Sequence, residues 1–330
     1  MLYYQIISIE HLFQAWDKFK KEKRRKKDVQ LFERNLEDNL FLLHEKLKNK
    51  TYKHSPYIAF NIHDPKFRHI HKACVVDRIV HHAIVSAIEP LFDKTFINDS
   101  YSCRLKKGTH RAVRRLFHFV RRVSKNYTRS CFALKLDIKK FFESVDHRIL
   151  LVLMRKRVDD QELLVLIEHI LKSFSSQKGM PIGNLTSQFF ANVYMNELDQ
   201  FIKQTLRIKY YIRYADDFVI LSDDRVYLEQ LVSQIALFLK ERLALTLHED
   251  KIVIRKYTQG IDFLGYICLP YCIVPRTKTK RRIFKKLQFR IAQLQKGEIT
   301  ESSFKQTTAS YLGFLKHANA HELTQRLNTS

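Results

Sequence analysis

Glycine and proline are scarce in this chain, seven and six among 330 residues. That scarcity excludes low-complexity linkers, and no internal repeat is visible. The five cysteines, Cys74, Cys103, Cys131, Cys268 and Cys272, are odd in number and scattered. A disulfide framework is therefore not expected, and Cys268 with Cys272 alone makes a poor zinc pair. All five read as reduced thiols. No apolar run approaches the ~20 residues of a spanning helix, and Met1-Leu-Tyr-Tyr-Gln lacks a signal-peptide layout. The expected compartment is the cytoplasm. Acidic residues are also in short supply, 34 against 59 Lys and Arg, leaving a formal charge of +25. Such an excess points to a polyanionic partner, and without a membrane segment that partner is nucleic acid. An apolar fraction of 45% supplies an ample core, enough for one large domain or two modest ones.

The chemistry concentrates in Tyr210-Tyr-Ile-Arg-Tyr-Ala-Asp-Asp-Phe-Val-Ile-Leu221. Apolar residues lead into Ala215-Asp216-Asp217 and out again, the pattern of a β-hairpin with an acidic tip between two half-buried strands. An Asx-type turn would use the same residues. Adjacent carboxylates repel, however, and a divalent cation would relieve them. A further carboxylate stands upstream in Cys131-Phe-Ala-Leu-Lys-Leu-Asp-Ile138. Phe132, Leu134 and Leu136 share one parity there, so Ala133, Lys135 and Asp137 face the other side, away from the core. Carboxylates gathered from neighbouring strands can hold two Mg²⁺ ions about 3.5–4 Å apart, clamping both oxygens of an in-line phosphoryl displacement.

On these residues a resemblance can be stated. Tyr214-Ala-Asp-Asp217 resembles the metal-binding box of reverse transcriptases, and Leu136-Asp-Ile-Lys-Lys-Phe-Phe142 resembles their first catalytic box. The likeness runs from about Lys66 to Gly265 and extends more weakly to the C-terminus. It implies Asp137, Asp216 and Asp217 as catalytic residues, with Asp137, Ile138, Asp216 and Asp217 at the two Mg²⁺ ions. Phe142 takes the place of the aromatic that closes the sugar pocket, where a bulky ring would clash with a ribose 2′-OH. Phe141 is expected in the core, and Asp146 as the N-cap of the next helix.

Residues 1–50 read as helical, with Leu12, Trp16 and Phe19 on one face and a second apolar series through Leu31, Leu40, Leu43 and Leu47. The basic run Lys18–Lys27 between them suits either a solvated loop or RNA phosphates. Asp64-Pro-Lys-Phe-Arg-His-Ile70, Val76–Ile84 and Asp99-Ser-Tyr-Ser-Cys-Arg104 follow in the order of the fingers of group II intron and related bacterial enzymes. The resemblance places Lys66 and Arg68 over the incoming triphosphate, which suits a guanidinium fork and a point charge. Lys66 reads equally as a strand-surface cation. Asp77 is expected to cap the helix that follows it, and His81 and His82 have no carboxylate at ligand spacing. The basic stretch 106–129 suits a polar helix face or the tracking of RNA.

Lys178–Gln188 reads as a loop running into a helix with a buried stripe of Phe189, Phe190, Val193, Tyr194, Leu198, Phe201 and Ile202. Gly183 would let main chain approach a nucleotide closely. The segment resembles the third reverse-transcriptase box, usually Gln-Gly-x-x-x-Ser-Pro, yet it reads Ile182-Gly183-Asn-Leu-Thr-Ser187-Gln188. That variant is similar to the enzymes of diversity-generating retroelements. The resemblance implies error-prone, adenine-directed cDNA made from a template-repeat RNA and used for mutagenic retrohoming. Exchanging an amide for a hydrocarbon at Ile182 deletes a donor and an acceptor. One such bond is worth ~0.5–1.5 kcal/mol, roughly two- to tenfold in nucleotide selection.

Further on, Lys251 matches the family's lysine that protonates leaving pyrophosphate, though a lone Lys before a strand is also commonly surface. Phe263-Leu264-Gly265-Tyr266 resembles the primer-gripping hairpin. A basic helical region starts at Pro275, and Tyr311–Leu315 should pack its end. The expected fold is α+β, a right-hand polymerase with fingers, a palm built on an antiparallel sheet, and a helical thumb. Residues 1–60 would be an N-terminal helical extension, 61–270 fingers and palm, and 271–330 the thumb. No RNase H, DNA-binding or nuclease domain is expected in what remains. The implied partners are a template-repeat RNA, a DNA primer, dNTPs and a small basic accessory protein oligomer, in a bacterial, archaeal or phage-encoded system. The alternatives are a group II intron-like or defence-associated reverse transcriptase and, from another class, a non-catalytic RNA-binding protein.

Overall fold

One four-stranded sheet with a hydrophobic core on each face organises the chain. The computed structural model describes residues 1–63 and 67–328. Four helices come first, α1 (Leu2–Ile7), α2 (Ile9–Lys20), α3 (Lys27–Arg34) and α4 (Leu36–Lys48). An exposed two-stranded ribbon follows, β1 (Ile58–Ile62) and β2 (Arg68–Lys72), then α5 (Val75–Asp93) and α6 (Thr109–Val123). Next are β3 (Phe132–Asp137), α7 (Phe141–Ser144), α8 (His147–Arg155), α9 (Gln161–Lys172) and α10 (Leu185–Gln200). The hairpin β4 (Tyr211–Tyr214) and β5 (Asp217–Ser222) leads into α11 (Arg225–Leu243) and β6 (Val253–Lys256). A three-stranded sheet, β7 (Ile261–Phe263), β8 (Tyr266–Leu269) and β9 (Cys272–Pro275), precedes α12 (Thr277–Gln295), α13 (Glu301–Leu315) and α14 (His321–Asn328).

The central sheet has the order β4-β5-β3-β6, every pair antiparallel. Leu134, Leu136, Tyr211, Phe218 and Ile220 face a large core shared with α10, α11 and the N-terminal helices. Ala133, Ile212, Val219 and Leu221 face a second core shared with α6 and the three-stranded sheet. Two expectations are corrected by this. The hairpin strands are buried on both faces, which explains the unbroken run Phe218–Leu221. The second face of β3 is also core at Ala133, and only Lys135 and Asp137 stay partly open on it. Likewise α10 is buried nearly all round, Thr186, Ser187, Asn192 and Asp199 included.

Leu12, Trp16 and Phe19 are buried as their spacing predicts, and α2 lies on α5. Leu31 departs from its expected series and is exposed, because α3 begins at Lys27 and turns Val29 and Phe32 inward instead. Lys18 and Lys20 end α2, and Lys20 pairs with Asp17 at 2.6 Å. Asp77 is not a helix cap. Cys74 occupies that position, and the Asp77 carboxylate accepts from Tyr52 Oη at 2.7 Å and the Ser55 amide at 3.0 Å. Asp146 does cap α8, accepting from the Arg148 and Ile149 amides. A third core of Ile283, Leu287, Leu315 and Ala320 holds α12 to α14 together. The expected divisions at 60/61 and 270/271 fall inside β1 and inside the β8–β9 turn. Among the described residues no helix is long and apolar enough to cross a membrane.

Candidate active site

Strand pairing sets the site. Asp137 ends β3, Asp217 begins β5, and the two are direct cross-strand partners. Asp216 lies in the two-residue connection between Tyr214 and Asp217, which pair to close the hairpin. Ala215 in that connection is left-handed at φ 55°. On the other flank the His248 amide donates to the Asp137 carbonyl at 2.8 Å, and Ile138 bridges Leu247. Asp137 and Asp217 each meet a lysine. Lys251 Nζ lies 2.8 Å from Asp137 Oδ2, and Lys135 Nζ lies 3.3 Å from Asp217 Oδ2. Lys135 also donates to the Asp262 carbonyl at 2.9 Å, and Asp262 pairs with Arg276 at 2.9 Å.

Asp217 Oδ1 is buried without a partner. Burial pushes its carboxyl up to about 6; Lys135 opposes the rise, while Asp137 and Asp216 add to it. A buried acceptor without a partner, on a carboxylate that is the cross-strand neighbour of another, fits a bound cation that would take over charge neutralisation from the two lysines. Oxygen donors of this kind suit Mg²⁺, which typically takes one or two protein carboxylates and fills its octahedron with water and phosphate oxygens. Among the described residues no three His, Cys, Asp or Glu side chains gather on one point, so substrate oxygens would complete the shell. Ile138 has no side-chain donor and its side chain is buried. Only its main-chain carbonyl could serve.

Beneath the turn sits a group that pattern reading overlooked. Arg213 is fully buried and grips Asp199 with Nη2 at 2.6 Å and Nε at 2.7 Å. Its Nη1 donates to the Ala215 carbonyl at 3.0 Å, and Nη2 to Ser100 Oγ at 3.1 Å. Tyr211 Oη also donates to Asp199, at 2.7 Å. A charged residue inside a strand otherwise apolar was the available signal, since a buried charge demands a partner.

The expected nucleotide loop meets the ribbon. The His71 amide donates to the Ile182 carbonyl at 3.0 Å, and Asn184 Nδ2 donates to the His71 carbonyl at 2.8 Å. Gly183 has φ 109°, and a Cβ there would lie 2.8 Å from Ile70 Cγ2. Ile182 is half-buried and Gln188 exposed. Arg68, also exposed, begins β2 opposite Ile62, and Lys66 lies outside the described residues. Phe141 is buried, and the half-buried Phe142 ring meets it edge-on at 5.3 Å. Phe263 and Tyr266 pair across Leu264-Gly265, both at positive φ (53° and 89°), as a two-residue type I′ hairpin requires. The Tyr266 ring stacks on Phe314 at 4.4 Å and its hydroxyl donates to the Phe314 carbonyl. The β7–β8 hairpin is thereby tied to α13.

Acidic strand ends on an antiparallel palm, an overlying ribbon and a helical C-terminal region make this an α+β right-hand polymerase fold. The chain belongs to the reverse transcriptase (RNA-dependent DNA polymerase) family, whose profile matches residues 53–268. It is similar to protein YkfC of Escherichia coli K12, 26% identical over 58% of this chain and 60% of that protein. The group II intron-encoded protein LtrA of Lactococcus lactis is 22% identical over 70% of this chain and 49% of that one. The retron Ec73 reverse transcriptase of E. coli is 35% identical over 27% of this chain and 32% of its own length. The chain thus spans about half to three fifths of the first two relatives. Among solved structures, telomerase from Candida albicans, in complex with a fragment of telomeric RNA, superposes with a TM-score of 0.51 at 12% identity. That match covers 72% of this chain and 50% of the telomerase.

Proposed function

We propose that this chain is an RNA-directed DNA polymerase that copies a template-repeat RNA into cDNA with errors concentrated at template adenines. The cross-strand register of Asp137 and Asp217, with Asp216 on the adjoining turn, carries the polymerase reading. When bound at Asp137, Asp216, Asp217 and the Ile138 carbonyl, two Mg²⁺ ions would supply charge neutralisation on the triphosphate and acidify the primer 3′-hydroxyl. The residues of the chain do the rest. Phe263 to Tyr266 hold the primer end, and the exposed main chain at Gly183 lets the nucleotide lie close. Phe142 walls the sugar. Arg68, with Lys66 in the same proposal, grips phosphate oxygens. Lys251, released from Asp137, gives its proton to the departing pyrophosphate. In this reading residues 61–270 form fingers and palm, 271–330 the thumb, and 1–60 an N-terminal extension.

Ile182-Gly-Asn-Leu-Thr-Ser-Gln188 supports the retroelement reading, because a hydrocarbon at Ile182 removes hydrogen-bonding groups beside the nascent pair. The reading brings with it a small basic accessory protein and a cytoplasmic setting. A group II intron-like or defence-associated enzyme is the second reading, favoured by the likeness to LtrA and the retron enzyme. Extension of a DNA-primed RNA template with Mg²⁺ and dNTPs, followed by cDNA sequencing, separates them. Errors clustered opposite adenine support the first, and accurate cDNA supports the second. No product from wild type, even with its cognate RNA and accessory protein, would leave a binding protein. Reversal of the error spectrum by Ile182→Gln would assign the infidelity to that side chain; an unchanged spectrum would refute the assignment.

A further inference from the structure

The end of the palm farthest from the carboxylates carries an arrangement that the polymerase chemistry does not use. Tyr271 sits in the β8–β9 turn, between the paired residues Leu269 and Cys272, and is 76% exposed. Its backbone is left-handed at φ 63°, a conformation rare for bulky residues and easily met by Gly or Asn. A large exposed ring thus stands at a position whose backbone favours Gly or Asn. It is also propped from below. The Tyr127 ring lies 4.5 Å away, and Tyr127 in turn meets Tyr257 at 5.8 Å and Phe117 at 6.4 Å. Tyr257 Oη donates to the Tyr127 carbonyl at 3.1 Å. Lys125, Asn126 and Tyr127 are three consecutive left-handed residues, so a sharply bent loop presents the prop.

Exposed cations lie on the segments that carry and flank this prop. Arg121, Arg122, Lys125 and Arg129 are exposed on the end of α6 and the loop beyond it, and Arg255 and Lys256 on β6. These segments meet here, since Lys256 pairs with Phe132 and the Tyr257 amide donates to the Cys131 carbonyl. Of the acids at this end, Asp224 is engaged in capping α11, and Asp223 is exposed beside it. From Phe132 here to Asp137 at the active end, β3 covers about 17 Å at ~3.3 Å per residue.

We propose that Tyr271, propped on Tyr127 at an end of the palm whose neighbouring segments carry exposed Arg and Lys, is a stacking site for an unpaired base of single-stranded RNA outside the catalytic cleft. An aromatic face among phosphate-binding cations is how sequence-tolerant single-strand sites are built. The inference rests on RNA being the bound nucleic acid, and does not depend on which RNA is copied.

The test uses the full chain with its cleft saturated by an unlabelled primer–template hybrid. Binding of a short fluorescein-labelled unstructured RNA is followed by anisotropy. Tyr271→Ala should weaken it about five- to hundredfold, the usual range for one stacked base. Tyr271→Trp should restore binding and Tyr271→Leu should not. A 4-thiouridine oligonucleotide should photo-cross-link to the peptide holding Tyr271. Extension of a short primed template should be unchanged in all three variants. Equal binding by Tyr271→Ala, or rescue by Leu, would overturn the site and leave the polymerase reading intact. Loss of short-template extension in a folded Tyr271→Ala protein would overturn it too, by showing that the ring supports the palm. Failure of wild type to bind either RNA would sink both readings.

Discussion

Removing the guanidinium of Arg213 tests how the acidic turn is held. Both partners of the Arg213–Asp199 pair are fully buried, with contacts of 2.6 and 2.7 Å. Arg213→Met leaves the Asp199 carboxylate with the Tyr211 hydroxyl as its remaining side-chain donor. Stranding a buried charge this way costs about 3–5 kcal/mol. Urea unfolding should show a midpoint lowered by that energy divided by the measured m-value. The double variant Arg213→Met/Asp199→Asn removes the stranded charge and keeps an acceptor for Tyr211, so more than half of the lost stability should return. Activity should not return with it. The Ala215 carbonyl has lost its Arg213 donor in both variants, and an unsatisfied polar group costs about 1–3 kcal/mol. If that cost appears as disorder in the turn holding Asp216, kcat for primer extension falls roughly five- to hundredfold with KM for dNTP little changed. A double variant that regained wild-type kcat would refute the positioning role. A single variant costing under about 1 kcal/mol would refute the burial argument itself.

Asp216→Ala and Asp137→Asn should each reduce primer extension to background while leaving the circular dichroism spectrum unchanged; measurable turnover by either removes that residue from the chemistry. Gly183→Ala should raise KM for dNTP, since its Cβ meets Ile70 and its φ of 109° disfavours any side chain. Adding Ile70→Ala should relieve only the steric part, and full recovery would show that backbone conformation there is immaterial. The proton at Asp217 gives a signed pH effect. Its folded value, about 6, is raised above the ordinary 3.8, so the metal-free fold favours the protonated form. The stability from this group is complete below the unfolded value and is lost as pH rises through about 6. Mg²⁺ requires the ionised form, so the thermal shift it produces should be small near pH 5 and full near pH 7.5. A shift equal at both would exclude Asp217 as a ligand.

Local pattern made much of this molecule legible. Period-two alternation in Phe132–Asp137 put Lys135 and Asp137 on one side of β3, and acid between two apolar runs marked the turn at Asp216. Helical spacing placed Leu12, Trp16 and Phe19 inside, and Asp146 stood where an N-cap belongs. Each of these signals lies within a dozen residues of chain. What failed did so because the deciding contact lay elsewhere. Asp77 has the look of a cap, but Tyr52 and Ser55 claim its carboxylate from a preceding segment. The strands of the hairpin read as half-buried because periodicity cannot register a second core made by α6 and β7–β9. Sequence alone therefore determined several of the helices, the acidic hairpin, the net basic charge and the carboxylates of the candidate site. Tertiary structure decided the register of Asp137 with Asp217, the lysine set on each, and the Arg213–Asp199 clamp beneath the turn. Those pairings join residues 80, 114, 82 and 14 positions apart, and pairing across such gaps is chosen by the energy of the whole packed fold.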